Sequence, residues 1–420
     1  MSREGKQVTV ALDTLGCKLN QAETELIADR LCRAGCCRVA SATEADIYIL
    51  NTCTVTHVAD RKSRHLLRLA HRRNPEAVII AAGCYAQRVP DELKRLEGVS
   101  LVLDNAAKMR LPQLLADRGY LKDVAGEDSV DSGLRSRSFI RVQDGCQNRC
   151  AYCIVSEVRP QERSFAPEDI IAGINGKTAA GYREVVLTGT EVGAYQYASL
   201  GLAGLLERIL AQTDIARLRL SSLQPNEITH EFISLWQDPR LCSHFHLSLQ
   251  SGSDAVLRRM RRRYNRECYA EAVSLIRSMV TDVAITTDVI VGFPGETDAE
   301  FAQSYEFCRR MGFARIHVFP YSSRPGTEAA QMPDKVSAAV KRERLQKMLA
   351  LAEESAAAFR QQYMGREVPA LWEQQAGGVW SGLTGNYIRV YTRSSLDLAN
   401  HISKVKLEKL HRDGVWGNSP

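Results

Sequence analysis

The sequence predicts an α/β protein in three parts. These are an N-terminal parallel α/β domain over 1–120, a central part-barrel of six βα units over 138–364, and a small antiparallel β-barrel over 365–420. Three observations predict this. Apolar runs of strand length alternate with helical stretches in two separate series, the grammar of parallel sheets. A polar stretch without sustained period, KDVAGEDSVDSGLRSRS at 121–137, divides the series and reads as a linker. Beyond residue 364 short β-like runs are separated by Gly and Asn, as in a small barrel.

In the first series VTVALDTL (8–15), DIYILNT (46–52) and AVIIAAG (77–83) are the strands, each followed by a helical stretch. Cys17, Cys53 and Cys84 each fall just past a strand end. In an open parallel sheet the carboxyl ends of the strands share one edge, where ligands bind. The fold can therefore gather three thiols that lie far apart in sequence. Cys32, Cys36 and Cys37 lie near a helix end and turn, and read as packing residues.

The second series has strand candidates at 139–143, 184–189, 216–222, 245–250, 285–293 and 315–321, with helices over 167–181, 202–212, 254–279 and 298–312. In such a part-barrel the chemistry sits at the carboxyl ends of the strands. There, after the first strand, stands DGCQNRCAYCIV, with Cys146, Cys150 and Cys153 in C-x3-C-x2-C spacing. A structural zinc site takes four ligands, and no histidine lies between His71 and His230 to complete a local one. A four-iron cluster held by three thiolates keeps one iron open. A long helix over 334–363 leads into the terminal runs EVPALWEQ, GVWSGLTGNYIRVYT and KVKLEKL.

Composition sets the class. The chain of 420 residues is 45% hydrophobic and 25% charged, with a net charge of +6. That balance permits a nucleic-acid partner without requiring one. MSREGKQVTV lacks the apolar core of a signal peptide, and the longest apolar runs are about half of the ~20 residues a bilayer span needs. The expectation is a cytoplasmic protein with no membrane association. Twelve cysteines in a reducing compartment then argue for metal binding, catalysis or burial over disulfides.

The three-cysteine loop after the first strand of a βα part-barrel is similar to the signature of the radical S-adenosylmethionine (SAM) enzymes. Together with TLGCKLNQAETE, NTCTVTHVADRKSR and AAGCYAQR before it and a small barrel after it, the chain resembles their methylthiotransferase family over nearly its whole length. LTGTEVGAY, LSLQSGSDAVLRRMRRRY, TTDVIVGFPGETDAEF, HVFPYSSRPGT and GGVWSGLTGNYIRVY resemble the branch acting on threonylcarbamoyladenosine in tRNA, the MtaB group. Three positions depart from the family pattern. Ser156 and Ser248 stand where Pro is usual, and Pro160 where Gly is usual after Arg159. These touch loop geometry near the cofactor.

The resemblance implies two [4Fe–4S] clusters, one on Cys146, Cys150 and Cys153 and an auxiliary one on Cys17, Cys53 and Cys84, with SAM as cofactor. The activity it implies is methylthio insertion at carbon-2 of the modified adenosine. Tyr152 would lie near the adenine of SAM, and Thr188, Glu191, Ser222, Gln250 and Asp288, all near strand ends, would contact the cofactor. GFPGET (292–297) lacks the Lys-Ser/Thr ending of a phosphate loop and reads as a turn shaping the cofactor rim. The terminal barrel corresponds to the RNA-binding TRAM domain, with Trp380, Tyr387, Arg389, Tyr391 and Arg393 as a stacking and phosphate surface. Arg258, Arg259, Arg261, Arg262 and Arg263 fit either a solvated face or an RNA contact. Expected partners are tRNA, a flavodoxin- or ferredoxin-like electron donor and a sulfur donor that the sequence does not identify, acting on a monomer. Alternatives are the isopentenyladenosine and ribosomal-protein-aspartate branches, or a non-catalytic metal-containing RNA-binding protein.

Overall fold

The computed structural model describes residues 7–121 and 136–418. Most of the expected linker, 122–135, lies outside the described residues. Its two flanks belong to folded structure. Leu121 is buried in the first core, and Arg137 already begins a strand, Arg137–Arg141.

The first unit is a five-stranded parallel sheet in the order Cys37–Arg38, Thr9–Thr14, Ile47–Thr52, Val78–Gly83, Val99–Leu103. The central strand Ile47–Thr52 is buried along its whole length, as a strand covered on both faces must be. Its outer strands Cys37–Arg38 and Val99–Leu103 were not among the sequence expectations, since one is very short and the other follows a broken helix. Cys32 and Cys36 are buried in this unit.

The six expected strands of the second unit all form. Arg137–Arg141, Glu184–Thr188 and Arg217–Leu220 make one parallel set, and His244–His246, Ala284–Val291 and Arg315–Pro320 the other. Parallel bridges Leu218–Leu241 and Leu223–Leu247 join the sets into one curved sheet. The helix Lys18–Arg33 of the first unit packs on its first edge strand, and the long helix Ala338–Gln361 packs on its last. The helical stretch 254–279 is two helices, Asp254–Arg259 and Arg266–Met279, broken where Arg261 takes a left-handed φ of 57°. That break turns Arg262 inward.

The terminal barrel is closed, in the order Glu367–Ala376, Val379–Thr384, Arg389–Arg393, Gly414–Asn418, Ile402–His411. Four of its ladders are antiparallel, but Arg389–Arg393 pairs parallel with Gly414–Asn418. The expected small antiparallel barrel therefore forms with one ladder that departs from it. A closed ring of five strands cannot alternate direction all the way round, so a parallel pair is obligatory. The barrel docks against the strand starts of the part-barrel, where Arg217 donates to the carbonyls of Leu383 and Pro369, both at 2.8 Å. Among the described residues no helix is long and apolar enough to cross a membrane.

Candidate active site

The strand-end cysteines come together because two glycines let the chain turn tightly. Gly16 has φ 102°, and a Cβ there would lie 2.7 Å from Cys53 Cβ, so only glycine allows the Cys17 loop to close on Cys53. Gly83, at φ 97°, leaves no room for a Cβ beside Asn51 Oδ1 and turns the chain into the helix that Cys84 begins. Cys53 and Cys84 are buried, whereas Cys17 reaches solvent. Burial pushes the Cys53 thiol up to about 12, with the charges of Cys17 and Cys84 adding to it. The Gly16 turn sets Cys17 beside Cys53, and the Gly83 turn brings Cys84 to the same edge of the sheet.

The second trio follows the strand Arg137–Arg141. Its loop is tied by Cys153 N donating to the Cys150 carbonyl at 3.0 Å and by Ala151 N donating to the Met260 carbonyl at 3.0 Å. Cys146 Sγ donates to Glu191 Oε2 at 3.2 Å, and burial with that carboxylate pushes its thiol up to about 12. Arg262 Nη1 donates to Cys150 Sγ at 3.3 Å, while Nη2 donates to Gln224 Oε1 at 3.1 Å. A single ion would need its donors close together. Among the described residues only His246, Asp288 and His317 place three such atoms within 4.8 Å. Both cysteine trios are wider, with guanidinium N–H groups aimed at sulfur, and so fit multi-iron clusters. Thiols raised by burial become ligands once positive charge stabilises the thiolate left when the proton leaves, and Arg159 at Cys84 and Arg262 at Cys150 would supply part of that charge beside a bound cluster.

The two trios adjoin. Arg159 Nε donates to Cys84 Sγ at 3.4 Å, and the Arg159 carbonyl accepts from Cys146 N at 3.2 Å. Cys84 also packs on Ile154 and Val158, just after the compact loop. Arg159 is held by Glu23 at 2.8 Å and Asp144 at 2.6 Å, and Glu23 also takes Lys108 at 2.6 Å. Pro160 keeps Arg159 out of the short helix Val155–Val158, at φ −141°. A second staple joins the units at Asp60, which accepts from Arg88 at 2.8 Å and Arg324 at 2.5 Å. Ser156 lies within the short helix, and Ser248 uses the N–H that a Pro would lack, donating to the Leu223 carbonyl at 3.1 Å.

Of the other expected residues, Glu191 lies beside the compact trio, accepting from Asn148 Nδ2 at 2.6 Å and from Gln224. Thr188 ends its strand and is buried, Ser222 follows the strand Arg217–Leu220, and Gln250 has a left-handed φ of 68°. Tyr152 packs edge-on against Phe293, 6.5 Å between ring centres. The GFPGET stretch is a self-contained turn. Gly292 N donates to Glu296 Oε2 at 2.7 Å, and Arg344 holds that carboxylate at 2.8 Å. Asp288, partly exposed, is engaged by His246 Nε2 at 3.3 Å. The arginine run divides. Arg259 pairs with Glu300 at 2.7 Å and Arg261 with Glu328 at 2.9 Å, while Arg262 faces Cys150.

Two of the five expected RNA contacts are corrected. Trp380 is only 5% exposed, because its strand turns it into the barrel core with Trp372. Tyr387, at a left-handed φ of 66°, points into the part-barrel, where it stacks on His244 at 4.6 Å under the guanidinium of Arg219 at 4.4 Å. Arg389, Tyr391 and Arg393 remain on the barrel surface, with His411 5.2 Å from Tyr391 and Trp416 5.3 Å from His411.

The family described as Uncharacterized protein family UPF0004 matches residues 9–104, and the Radical SAM superfamily matches residues 140–308. The chain is 36% identical to the threonylcarbamoyladenosine tRNA methylthiotransferase MtaB of Bacillus subtilis (strain 168), over 96% of this chain and 94% of that one. It is 37% identical to MtaB of Aquifex aeolicus (strain VF5), over 91% and 96%. The tRNA-2-methylthio-N(6)-dimethylallyladenosine synthase of Caldicellulosiruptor saccharolyticus is 35% identical, over 99% and 93%. Among solved structures the radical SAM methyltransferase TsrM of Kitasatospora setae shares the fold, with TM-score 0.57 and 14% identity over 90% of this chain and 81% of that one. The chain belongs to the radical S-adenosylmethionine methylthiotransferases, in their MtaB group.

Proposed function

We propose that the protein is a tRNA methylthiotransferase that adds a methylthio group to carbon-2 of N6-threonylcarbamoyladenosine. The observation that carries this reading is Arg159, which ties Cys84 of one trio to the backbone of Cys146 of the other. An enzyme that must generate a radical at one centre and deliver sulfur from another needs both beside one substrate base. Cys146, Cys150 and Cys153 would hold the cluster that engages SAM, and Cys17, Cys53 and Cys84 the auxiliary cluster. When bound, these groups supply a radical able to attack an unactivated aromatic C–H, and the sulfur to be inserted. The chain's own residues position them. Glu191, held by Asn148, offers a carboxylate for the cofactor's ammonium, and Tyr152, Thr188, Ser222 and Gln250 line the cofactor side. Arg262 sets charge beside Cys150. Its replacement by Gln is expected to lower the potential of the compact cluster, because a cation at sulfur favours the reduced form. A redox titration followed by electron paramagnetic resonance checks this, and an unchanged potential removes the role.

On the terminal barrel, Arg389, Tyr391 and Arg393 would meet RNA. Tyr391→Ala with Arg393→Ala should weaken tRNA binding by roughly tenfold and flatten its dependence on salt. Binding isotherms at two salt concentrations measure both. Electrons would come from a flavodoxin- or ferredoxin-like donor to a cytoplasmic monomer. The reading is tested by nucleoside mass spectrometry of tRNA from cells with and without the gene. Loss of the methylthio form with accumulation of threonylcarbamoyladenosine is expected. Loss of methylthio-isopentenyladenosine instead would move the protein to the sister branch.

A further inference from the structure

We propose that Lys18, with His246, Asp288 and His317, forms the pocket that reads the carboxylate-bearing arm of the substrate adenosine, and so selects it over an apolar arm. This rests on the tRNA reading above and names the residues that would enforce it. Lys18 follows Cys17 directly and starts the helix Lys18–Arg33 that lies along the first edge of the part-barrel. Its ammonium points inside, 5.9 Å from the Tyr387 ring centre. Among the described residues it makes no hydrogen bond and no ion pair. The neighbouring cations are different. Arg219 is paired with Glu184 at 2.8 Å, and Arg137 with Glu373 at 2.5 Å.

The Tyr387 ring that Lys18 faces stacks on His244, whose Nε2 lies 3.1 Å from Thr286 Oγ1, and the same hydroxyl lies 3.0 Å from His246 Nδ1, so Lys18 and the cluster of His246, Asp288 and His317 border one interior space. Burial pushes His317 down to about 4, so its ring is neutral at pH 7 and can accept or donate one hydrogen bond. Against the upward pull of burial, the hydrogen bond from His246 keeps Asp288 ionised. The three ligand atoms of His246, Asp288 and His317 lie within 4.8 Å of one another, a spacing a divalent cation could use. The ammonium of Lys18 sharing their space would repel such a cation.

A threonylcarbamoyl arm satisfies every one of these groups. Its carboxylate pairs with Lys18, and its hydroxyl and urea N–H groups meet Asp288 and the neutral imidazole. An isopentenyl arm would leave the inward-facing Lys18 ammonium without a partner, and a polar site rejects a ligand lacking its polar groups far more strongly than an apolar site rejects one. The grip on the arm also lies one residue from a thiol of the sulfur-bearing trio, so reading the arm and placing the base against that trio are one event.

The test uses the full chain with both clusters reconstituted. Its probes are anticodon stem-loops carrying threonylcarbamoyladenosine, its carboxyl methyl ester, or isopentenyladenosine. Wild-type protein should bind the acid at least about tenfold more tightly than the ester. Lys18→Met should reduce acid binding to the ester's level and leave ester binding unchanged. Where Lys18→Met loses iron, the acid-against-ester comparison on the wild-type protein decides. Equal binding of acid and ester by wild-type protein overturns the pocket. A tenfold ester loss that Lys18→Met with full iron does not reproduce overturns the assignment to Lys18. If wild-type protein forms no methylthio product on the acid stem-loop, the tRNA reading itself fails. Product formation with equal acid and ester binding removes only the pocket.

Discussion

Cys53→Ala is expected to abolish methylthiolation of tRNA while the protein still releases 5′-deoxyadenosine from SAM. Cys53 directly follows the central strand of the first sheet, 5% exposed, and the Gly16 turn presses directly on it. Two remaining thiols cannot hold the auxiliary cluster in place of three, so sulfur delivery stops. The compact loop keeps its own supports, the Cys153–Cys150 turn and the Ala151–Met260 hydrogen bond, neither of which involves Cys53. Single-turnover assays that follow the modified nucleoside and 5′-deoxyadenosine in parallel separate the two outcomes. Full methylthio product from the variant would remove Cys53 from the sulfur-bearing site.

Replacing Cys146, Cys150 and Cys153 together with Ala should bring 5′-deoxyadenosine formation to background and leave about half of the iron, since one of two four-iron clusters remains. The retained half depends on the first unit folding around its own trio. Its sheet and both of its cores are complete without the second unit. The change could spread through the Arg159 contact to Cys84, because the Arg159 carbonyl sits on Cys146 N, and through Ile154 and Val158, which pack on Cys84. A backbone contact survives substitution to Ala. Iron analysis with electron paramagnetic resonance reads the result, and a variant that loses all iron shows the two sites to be interdependent.

How much of this was legible follows from where each signal lies. The compact trio is local, with three thiols in eight residues, and its chemistry can be read without a fold. Cys17, Cys53 and Cys84 needed one further rule, that parallel strands share a carboxyl edge. The apolar runs supplied the strands, and the structure put the thiols at that edge. The charged residues that surround both trios carry no such signal. Arg159 meets Glu23 across 136 residues of sequence, and Arg262 meets Cys150 across 112. A charged residue read alone belongs at the surface, since only a partner makes its burial tolerable, and the partner is chosen by the fold. Lys18 is the same case, read as one residue of a motif until the helix laid it inside the part-barrel.

The terminal barrel shows the limit from the other side. The alternation of Val379–Thr384 admits either face as the inner one, and closure of the five-stranded ring decided that Trp380 is core. Tyr387 was turned inward by a left-handed backbone and by docking on the strand starts of another unit. The sequence by itself determined the elements, their order and the two sets of thiols, because periodicity and spacing are properties of neighbours along the chain. Which charges stand at the sulfurs and which aromatics stay on the barrel surface was decided only by the tertiary structure, because burial depends on residues that meet in space.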